Sequence, residues 1–281
     1  MSRTLFTNVQ IFDGTVSNLF AGQVLVEDNR IKAVARGNNT ISAGGAEVID
    51  GHGATLTPGL VESHAHLFFG SSVDRIERRQ DVPSEVKLMR AIHAAKTLLD
   101  YGFTSAYSAG SGNAVGEVAI REEINNGWLV GPRLKACSFE RIAAEAGPSG
   151  AGGGTGMFPG IKHRKPDVEG VRQFVKDMAA VGCDSVKFVI SGESGIHPGT
   201  SREIQFYEEE MMAAGEAARE SGVWLNAHTH SADSVKVAIK SGFRVLYHCT
   251  WSDDEAFEMM VARSEEHTSE LQSRLHLVCR L

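Results

Sequence analysis

From residue 58 to residue 262 the sequence alternates between short apolar runs and segments whose apolar residues recur with a helical period. The segment 83–101 is typical, because it keeps this period until Gly102 ends it. Six strand and helix pairs follow one another, with predicted strands ending near residue 67 and spanning 103–108, 133–138, 184–190, 223–230 and 243–250. Strands that alternate with helices form parallel sheets. A closed barrel needs eight such units, so we predict an α/β fold with an incomplete (β/α) TIM-type barrel of about six units.

The first 56 residues have a different pattern. Short β-like runs are separated by turn residues such as Asp13-Gly14 and Asp50-Gly51, and they span 4–12, 22–30, 30–36, 46–50 and 54–58. Strands of this kind suit a small antiparallel sandwich. We therefore predict an N-terminal β-sandwich portion over residues 1–56 and the partial barrel over residues 57–262.

The last segment, residues 263–281, does not continue the βα pattern. Its first eleven residues read RSEEHTSELQS, the codon-for-codon translation of a DNA sequence that resembles a common sequencing-library adapter. We expect the natural reading frame to be interrupted near Ala262 and the segment to be a non-native read-through tail. The missing part would hold strands seven and eight. The alternative is an amphipathic helix, since Leu271, Leu275 and Leu277 extend the apolar period of the preceding helix.

Charge and cysteine content exclude several functions. The net charge is −7 and no run of Lys and Arg is present, which argues against nucleic-acid binding. No apolar segment is long enough to span a bilayer, and the start of the chain does not resemble a secretion signal. The four cysteines form no C-x-x-C pair, which is typical of a reduced protein. We expect a cytoplasmic protein without a membrane or nucleic-acid partner; the oligomeric state stays open.

Five residues with metal-binding side chains follow or end predicted strands: His64 and His66 on the first, His228 and His230 on the fifth, and His248 on the sixth. Alternate residues of a strand project to the same side, so each His-x-His pair can face one ion. The carboxyl ends of parallel barrel strands lie on one face of the barrel. These residues are therefore expected to converge.

Lys187 is unusual because it interrupts the otherwise apolar fourth strand, SVKFVI. A buried ammonium is costly unless it is compensated. Burial lowers the pKa of a lysine, and a neutral amine can add carbon dioxide to form a carbamate, which bridges two cations as a carboxylate does. The alternative is a lysine that extends out of the strand end to pair with a surface glutamate.

These motifs together resemble the amidohydrolase superfamily of metal-dependent hydrolases, and more closely its imidazolonepropionase and Xaa-Pro-dipeptidase-like branch. The resemblance covers roughly residues 4–262. It rests on PGLVESHAH at 58–66, GFTSAYSAG at 102–110, GPRLKACS at 131–138, VKFVISG at 186–192, NAHTHSADSVKVAIKSG at 226–242 and Tyr247-His248.

The resemblance implies two divalent metal ions, usually zinc, bridged by carbamylated Lys187. By analogy His64 and His66 would bind the more buried ion, His228 and His248 the more exposed ion, and His230 would face the substrate. It further implies a metal-bridging hydroxide that cleaves an amide or peptide-like C–N bond. Candidate substrates are an N-blocked amino acid, a dipeptide ending in proline and a cyclic amide.

One expected residue is missing. The family uses an aspartate at the end of strand eight as ligand and general base, and Asp253 and Asp254 follow strand six, so neither replaces it by position. We therefore expect little or no turnover from the 281 residues as written, although the natural parent would be an enzyme.

Two alternatives stay open. A mononuclear deaminase of the same superfamily also begins with His-x-His, but it generally places a glutamate beside the strand-five ligand, and HTHSADS at 228–234 has none. The second alternative is a non-catalytic fragment, in which strands one and six are unpaired edges of an incomplete barrel. The glycine-rich stretch at 147–160 lacks the order of a phosphate-binding loop and is a candidate substrate-covering loop instead.

Overall fold

The computed structural model describes residues 2–15, 18–69, 82–143, 165–192 and 200–263, and the backbone alone of residues 269–272 and 276–280. The chain divides into two compact units, residues 1–60 and 61–281. The glycine-rich stretch at 147–160, a candidate substrate-covering loop, lies outside the described residues. Among the residues that are described, no helix combines the length and the apolar character needed to cross a bilayer.

The first unit is a single mixed β-sheet. Its strands are β1 (Arg3–Ile11), β2 (Phe20–Glu27), β3 (Arg30–Arg36), β4 (Glu47–Asp50) and β5 (Thr55–Leu56). The first three pair antiparallel, whereas β4 and β5 pair parallel to β1. The strands were predicted near these positions, but the expected antiparallel sandwich is replaced by one sheet, because β4 and β5 both return to the free edge of β1. Val9, Ile11 and Val24 form its buried apolar cluster.

The second unit alternates strands and helices as the sequence predicts. It contains β6 (Leu60–Ala65), α1 (Ser84–Asp100), β7 (Phe103–Ser108), α2 (Ala114–Asn125), β8 (Arg133–Lys135), β9 (Cys137–Arg141), α3 (Val168–Val181), β10 (Ser185–Val189), α4 (Glu208–Ser221), β11 (Trp224–Ser231), α5 (Ala232–Lys240), β12 (Val245–Trp251) and α6 (Asp254–Arg263). Asp167 caps α3 by accepting a hydrogen bond from the Gly170 N–H at 3.0 Å, as its position before the helix indicates.

The strands of this unit are arranged in chain order in two sheets. One sheet has the order β6-β7-β8, and in the other β9, β10, β11 and β12 are neighbours and run parallel. The predicted third strand is broken at Ala136, whose N–H donates to the Asp184 carboxylate at 2.8 Å. The described strands do not close into a barrel.

The core lies between the strands and the helices that cover them. Phe188 on β10 is fully buried and makes edge-to-face contacts with Phe174, Phe206 and Phe243, at ring centroid distances of 5.6 to 5.9 Å. Such contacts add to the free energy gained by burial. They fix β10, and with it Lys187, against α3 and the segments that carry the other two rings.

The tail forms a hairpin. Strands β13 (Ser269–Gln272) and β14 (His276–Arg280) pair antiparallel, and β14 pairs antiparallel with β12. The alternative of an amphipathic helix in the tail is therefore wrong. The alternative of a non-catalytic fragment assumed an unpaired edge on the sixth strand, and in the structure β14 pairs with that strand. The physical reason is that an edge strand presents unsatisfied N–H and C=O groups that another strand can pair with.

Candidate metal centre

All six residues singled out in the sequence lie on or directly after strands of the second unit. His64 is on β6 and His66 follows it; Lys187 is on β10, His228 and His230 on β11, and His248 on β12. In the β11–β12 register His228 pairs with Tyr247 and Thr229 pairs with His248, so His228 and His248 lie one residue apart along the two neighbouring strands.

Four histidines form a continuous cluster of rings. The His64 ring centroid is 5.0 Å from that of His66 and 5.1 Å from that of His248. The His248 centroid is in turn 4.5 Å from that of His228. The structure thus brings together imidazoles from β6, β11 and β12 and from the residue that follows β6.

His230 lies in the same cluster. Its ring stacks on His248 at 4.7 Å and is 4.6 Å from His228. One ligand atom from each of these three residues lies within 4.8 Å of the others, a spacing that could hold a metal ion. The Nδ1 atom of His230 also forms a 2.8 Å hydrogen bond with Thr250 Oγ1. The geometry therefore places His230 where it could bind a cation together with His228 and His248.

Lys187 is completely buried. Its Nζ donates a hydrogen bond to the Ala109 carbonyl at 2.6 Å and lies 3.5 Å from Glu140 Oε1. Burial lowers the pKa of Lys187, and the neighbouring Glu140 carboxylate acts in the opposite direction. Lys187 therefore does not reach the surface, which contradicts the alternative of a lysine that extends out of the strand end.

Tyr247 connects Lys187 to the histidines. Lys187 Nζ lies 4.5 Å from the centroid of the Tyr247 ring, and the His64 ring stacks on the same tyrosine at 4.1 Å. The Tyr247 hydroxyl donates to the Ser63 carbonyl at 3.1 Å. Lys187 and His64, which come from strands four and one, are therefore held against one side chain.

The electrostatic environment favours neutral imidazoles. Burial is the largest cause that lowers the pKa of His64, and the positive charge of Lys187 lowers it further. Burial also lowers the pKa of His66 and of His228. A neutral imidazole has the lone pair that a metal needs, and several imidazoles suit zinc and related ions.

The backbone at the end of β12 is strained. His248 and Cys249 have φ values of 74° and 49°, in the region that residues with side chains rarely adopt. The β11–β12 pairing is also irregular between Thr229 and Ser231. Strain of this kind persists where the surrounding structure over-determines it, which is common at functional sites.

Sequence reasoning missed two side chains of the centre, Glu140 and Tyr247. Glu140 lies near the end of β9, so the same strand-end rule that selects the histidines would have found it. Tyr247 precedes His248 in an apolar strand and gives no signal of its own, because its role depends on contacts with β6 and β10.

Several characterised proteins are similar to this chain. An imidazolonepropionase of Ectopseudomonas mendocina is 42% identical over 93 residues, which cover 32% of this chain and 23% of that protein. An ochratoxinase of Aspergillus niger is 28% identical over 230 residues, covering 73% and 45%. A 5′-deoxyadenosine deaminase of Methanothermobacter thermautotrophicus is 48% identical over 64 residues, covering 22% and 14%. The chain spans less than half of the length of each of these relatives.

The fold is also similar to that of a solved structure. The crystal structure of a Xaa-Pro dipeptidase with bound methionine superposes with a TM-score of 0.76 at 24% sequence identity, covering 93% of this chain and 65% of that one. A family model, described as the amidohydrolase family, matches residues 55–263. Since this match extends over well more than half of the sequence, the chain belongs to the amidohydrolase family.

Proposed function

We propose that this chain is part of a metal-dependent hydrolase that cleaves an amide or peptide-like C–N bond of a small molecule. Its metal ligands are His64, His66, Lys187, His228 and His248. The observation that carries the proposal is the convergence of four imidazole rings and one fully buried lysine at the ends of parallel strands. The family and its C–N hydrolases support the same reaction class.

The domain organisation is proposed on the same basis. Residues 57–262 form six units of an incomplete TIM-type barrel, and residues 1–56 form a separate β portion. Residues 263–281 are a read-through tail. The order of the strands and the structural similarity to a Xaa-Pro dipeptidase support the barrel. The uninterrupted genomic reading frame tests the tail, because a genome that encodes RSEEHTSELQS would contradict it.

The residues present fit two divalent cations. Imidazole nitrogens are ligands that zinc prefers, and an anionic ligand would balance part of the charge of two cations. Lys187 can supply this anion: the neutral amine attacks carbon dioxide, an N–C bond forms as one C–O π bond breaks, and one N–H proton passes to water. The resulting carbamate has one negative charge shared by two oxygens. When bound, the cations would lower the pKa of water and polarise the scissile carbonyl.

We further propose that the 281 residues turn over slowly or not at all. Proton transfer from water to the leaving amine requires a positioned base. Both oxygens of the Asp253 carboxylate already accept hydrogen bonds: one from Lys236 Nζ at 2.8 Å and the other from the Ala256 N–H at 2.9 Å. It therefore caps α6 and does not replace the strand-eight aspartate.

An activity comparison tests the function. The zinc-loaded chain and the uninterrupted genomic reading frame are assayed for amine release from N-acyl amino acids, Xaa-Pro dipeptides and cyclic amides. We expect cleavage by the genomic protein, loss of cleavage in its Lys187→Met variant and almost no cleavage by the 281-residue chain. Turnover by the short chain would contradict the missing-base argument. A genomic protein that cleaves no C–N bond would contradict the hydrolase.

A mononuclear deaminase is the second candidate. The three-residue cluster of His228, His230 and His248 favours it, since its spacing suits a single ion, and a deaminase is among the relatives. The buried Lys187 has no role in that mechanism. Ammonia release from an aminated nucleoside, with one zinc per chain, would select the deaminase.

A further inference from the structure

The loop after β7 sends two consecutive carbonyl groups to two of the proposed ligands. The Ala109 carbonyl accepts a hydrogen bond from Lys187 Nζ at 2.6 Å, and the Gly110 carbonyl lies 2.9 Å from His66 Nδ1. Strand β7 carries none of the proposed ligands. This loop nevertheless contacts a ligand from strand one and a ligand from strand four.

The contact with Gly110 fixes the chemistry of His66. A carbonyl oxygen only accepts hydrogen bonds, so His66 Nδ1 must carry the proton in this contact. The proton-free nitrogen is then Nε2, whose lone pair is available to a metal. Histidine ligands generally donate their other ring N–H in this way, and the partner sets which nitrogen binds the ion.

The contact with Ala109 is compatible with the modified lysine as well as with the free amine. A carbamate nitrogen keeps one N–H, which can continue to donate to the Ala109 carbonyl. The two carbamate oxygens then extend beyond the nitrogen, away from the hydrogen bond. The same carbonyl therefore orients Lys187 before and after the addition of carbon dioxide.

The loop itself is held from both sides. The Ala109 N–H donates to the Ala65 carbonyl at 2.9 Å, and the Ser111 N–H donates to the Ser138 carbonyl at 2.8 Å. These bonds tie the loop to β6 and to β9. The direction of the two carbonyls is consequently determined by the strands that carry His64 and Glu140.

Position 110 has no room for a side chain. Gly110 has φ +140°, and a Cβ placed there would lie 2.5 Å from Cγ and 3.1 Å from Cδ of Glu140. Movement of Glu140 away from this Cβ would change the 3.5 Å contact between its Oε1 and Lys187 Nζ. Any side chain at 110 would displace either the two carbonyls or the carboxylate beside Lys187.

We propose that Ala109 and Gly110 are the positioning segment of the metal centre, in which two successive carbonyls orient Lys187 and His66 toward the ions and glycine at 110 allows this geometry. The inference rests on the proposed function, since it assumes that His66 and Lys187 are ligands. It adds the loop that follows strand two to a centre whose ligands come from strands one, four, five and six.

The variant Gly110→Ala tests the proposal, with Gly127→Ala as its matched control. Gly127 also has a positive φ, +77°, but no atom lies within 4 Å of an added Cβ, so the control introduces backbone strain without a collision. Zinc affinity is measured by competition with a chelator, and folding by circular dichroism. Loss of an outer contact typically weakens metal binding about 10- to 100-fold. We expect this loss for Gly110→Ala and zinc affinity close to the wild type for Gly127→Ala.

The outcomes separate this inference from the proposed function. If wild-type zinc binding depends on His66 but Gly110→Ala binds as tightly as Gly127→Ala, only the positioning role is overturned. If the wild type binds no zinc, both are overturned. Nitrogen NMR of the His66 ring in the metal-free wild type gives an answer even if Gly110→Ala does not fold. The proposal expects the proton on Nδ1, and a proton on Nε2 would overturn it.

Discussion

Replacement of Lys187 by methionine separates a functional lysine from a structural one. Methionine has similar length and no charge, so Lys187→Met keeps most of the packing. The Ala109 carbonyl loses a donor, which costs about 1–3 kcal/mol. The Glu140 side chain is 27% exposed, so water can hydrate its carboxylate once the lysine is removed. The free energy lost at Glu140 is therefore small. In return the protein no longer buries a lysine, whose desolvation costs several kcal/mol whether the group keeps its charge or gives up its proton. We therefore expect the free energy of unfolding of metal-free Lys187→Met to equal or exceed that of the wild type, with a loss of no more than about 1 kcal/mol.

Urea denaturation of chelator-treated protein measures this difference. Phe188→Ala is the reference variant, because Phe188 is the neighbouring fully buried residue and its loss should cost about 3–5 kcal/mol. If Lys187→Met also loses about 3–5 kcal/mol, the loss typical when one member of a buried ion pair is removed, Lys187 and Glu140 form a structural pair. The functional interpretation of the lysine would then be refuted.

Three further predictions concern other parts of the chain. Glu117 is fully buried, accepts from the Cys137 N–H at 3.0 Å and has a pKa raised by burial. The unfolded chain ionises it above its ordinary pKa of 4.5, so wild-type stability falls with rising pH by up to about 1.4 kcal/mol per unit. The stability advantage of Glu117→Gln in urea should therefore grow from pH 5 to pH 7, and a shrinking advantage would contradict this. His230→Ala should retain two zinc ions per chain by elemental analysis, whereas loss of one would place His230 among the ligands. A chain that ends at Arg263 should self-associate in light scattering, because the β12 edge is uncovered; a monomer of unchanged melting temperature would count against that edge.

Periodicity and strand-end position account for much of what the sequence predicts. Strand β7 spans the predicted residues 103–108, and the Asp167 cap of α3 lies where its residue type indicates. The break of the third strand at Ala136 was not predictable, because it depends on a hydrogen bond to Asp184, which is distant in sequence. The β hairpin of the tail likewise depends on an available edge of β12 rather than on its own apolar period.

The candidate site divides in the same way. The convergence of His64, His228 and His248 follows from the geometry of parallel strands, so the sequence predicts it. The position of His230 beside His228 follows as well, because residues i and i+2 of a strand project to the same side. The carbonyl of Gly110 contributes through the backbone alone, and no residue pattern marks such a contact.

The number of zinc ions bound per chain tests the central claim most directly. Elemental analysis of the purified, zinc-saturated chain is compared with that of Lys187→Met under the same conditions. A centre bridged by carbamylated Lys187 predicts two ions per chain in the wild type and at most one in the variant. No bound zinc in the wild type, or two ions in both proteins, would contradict it.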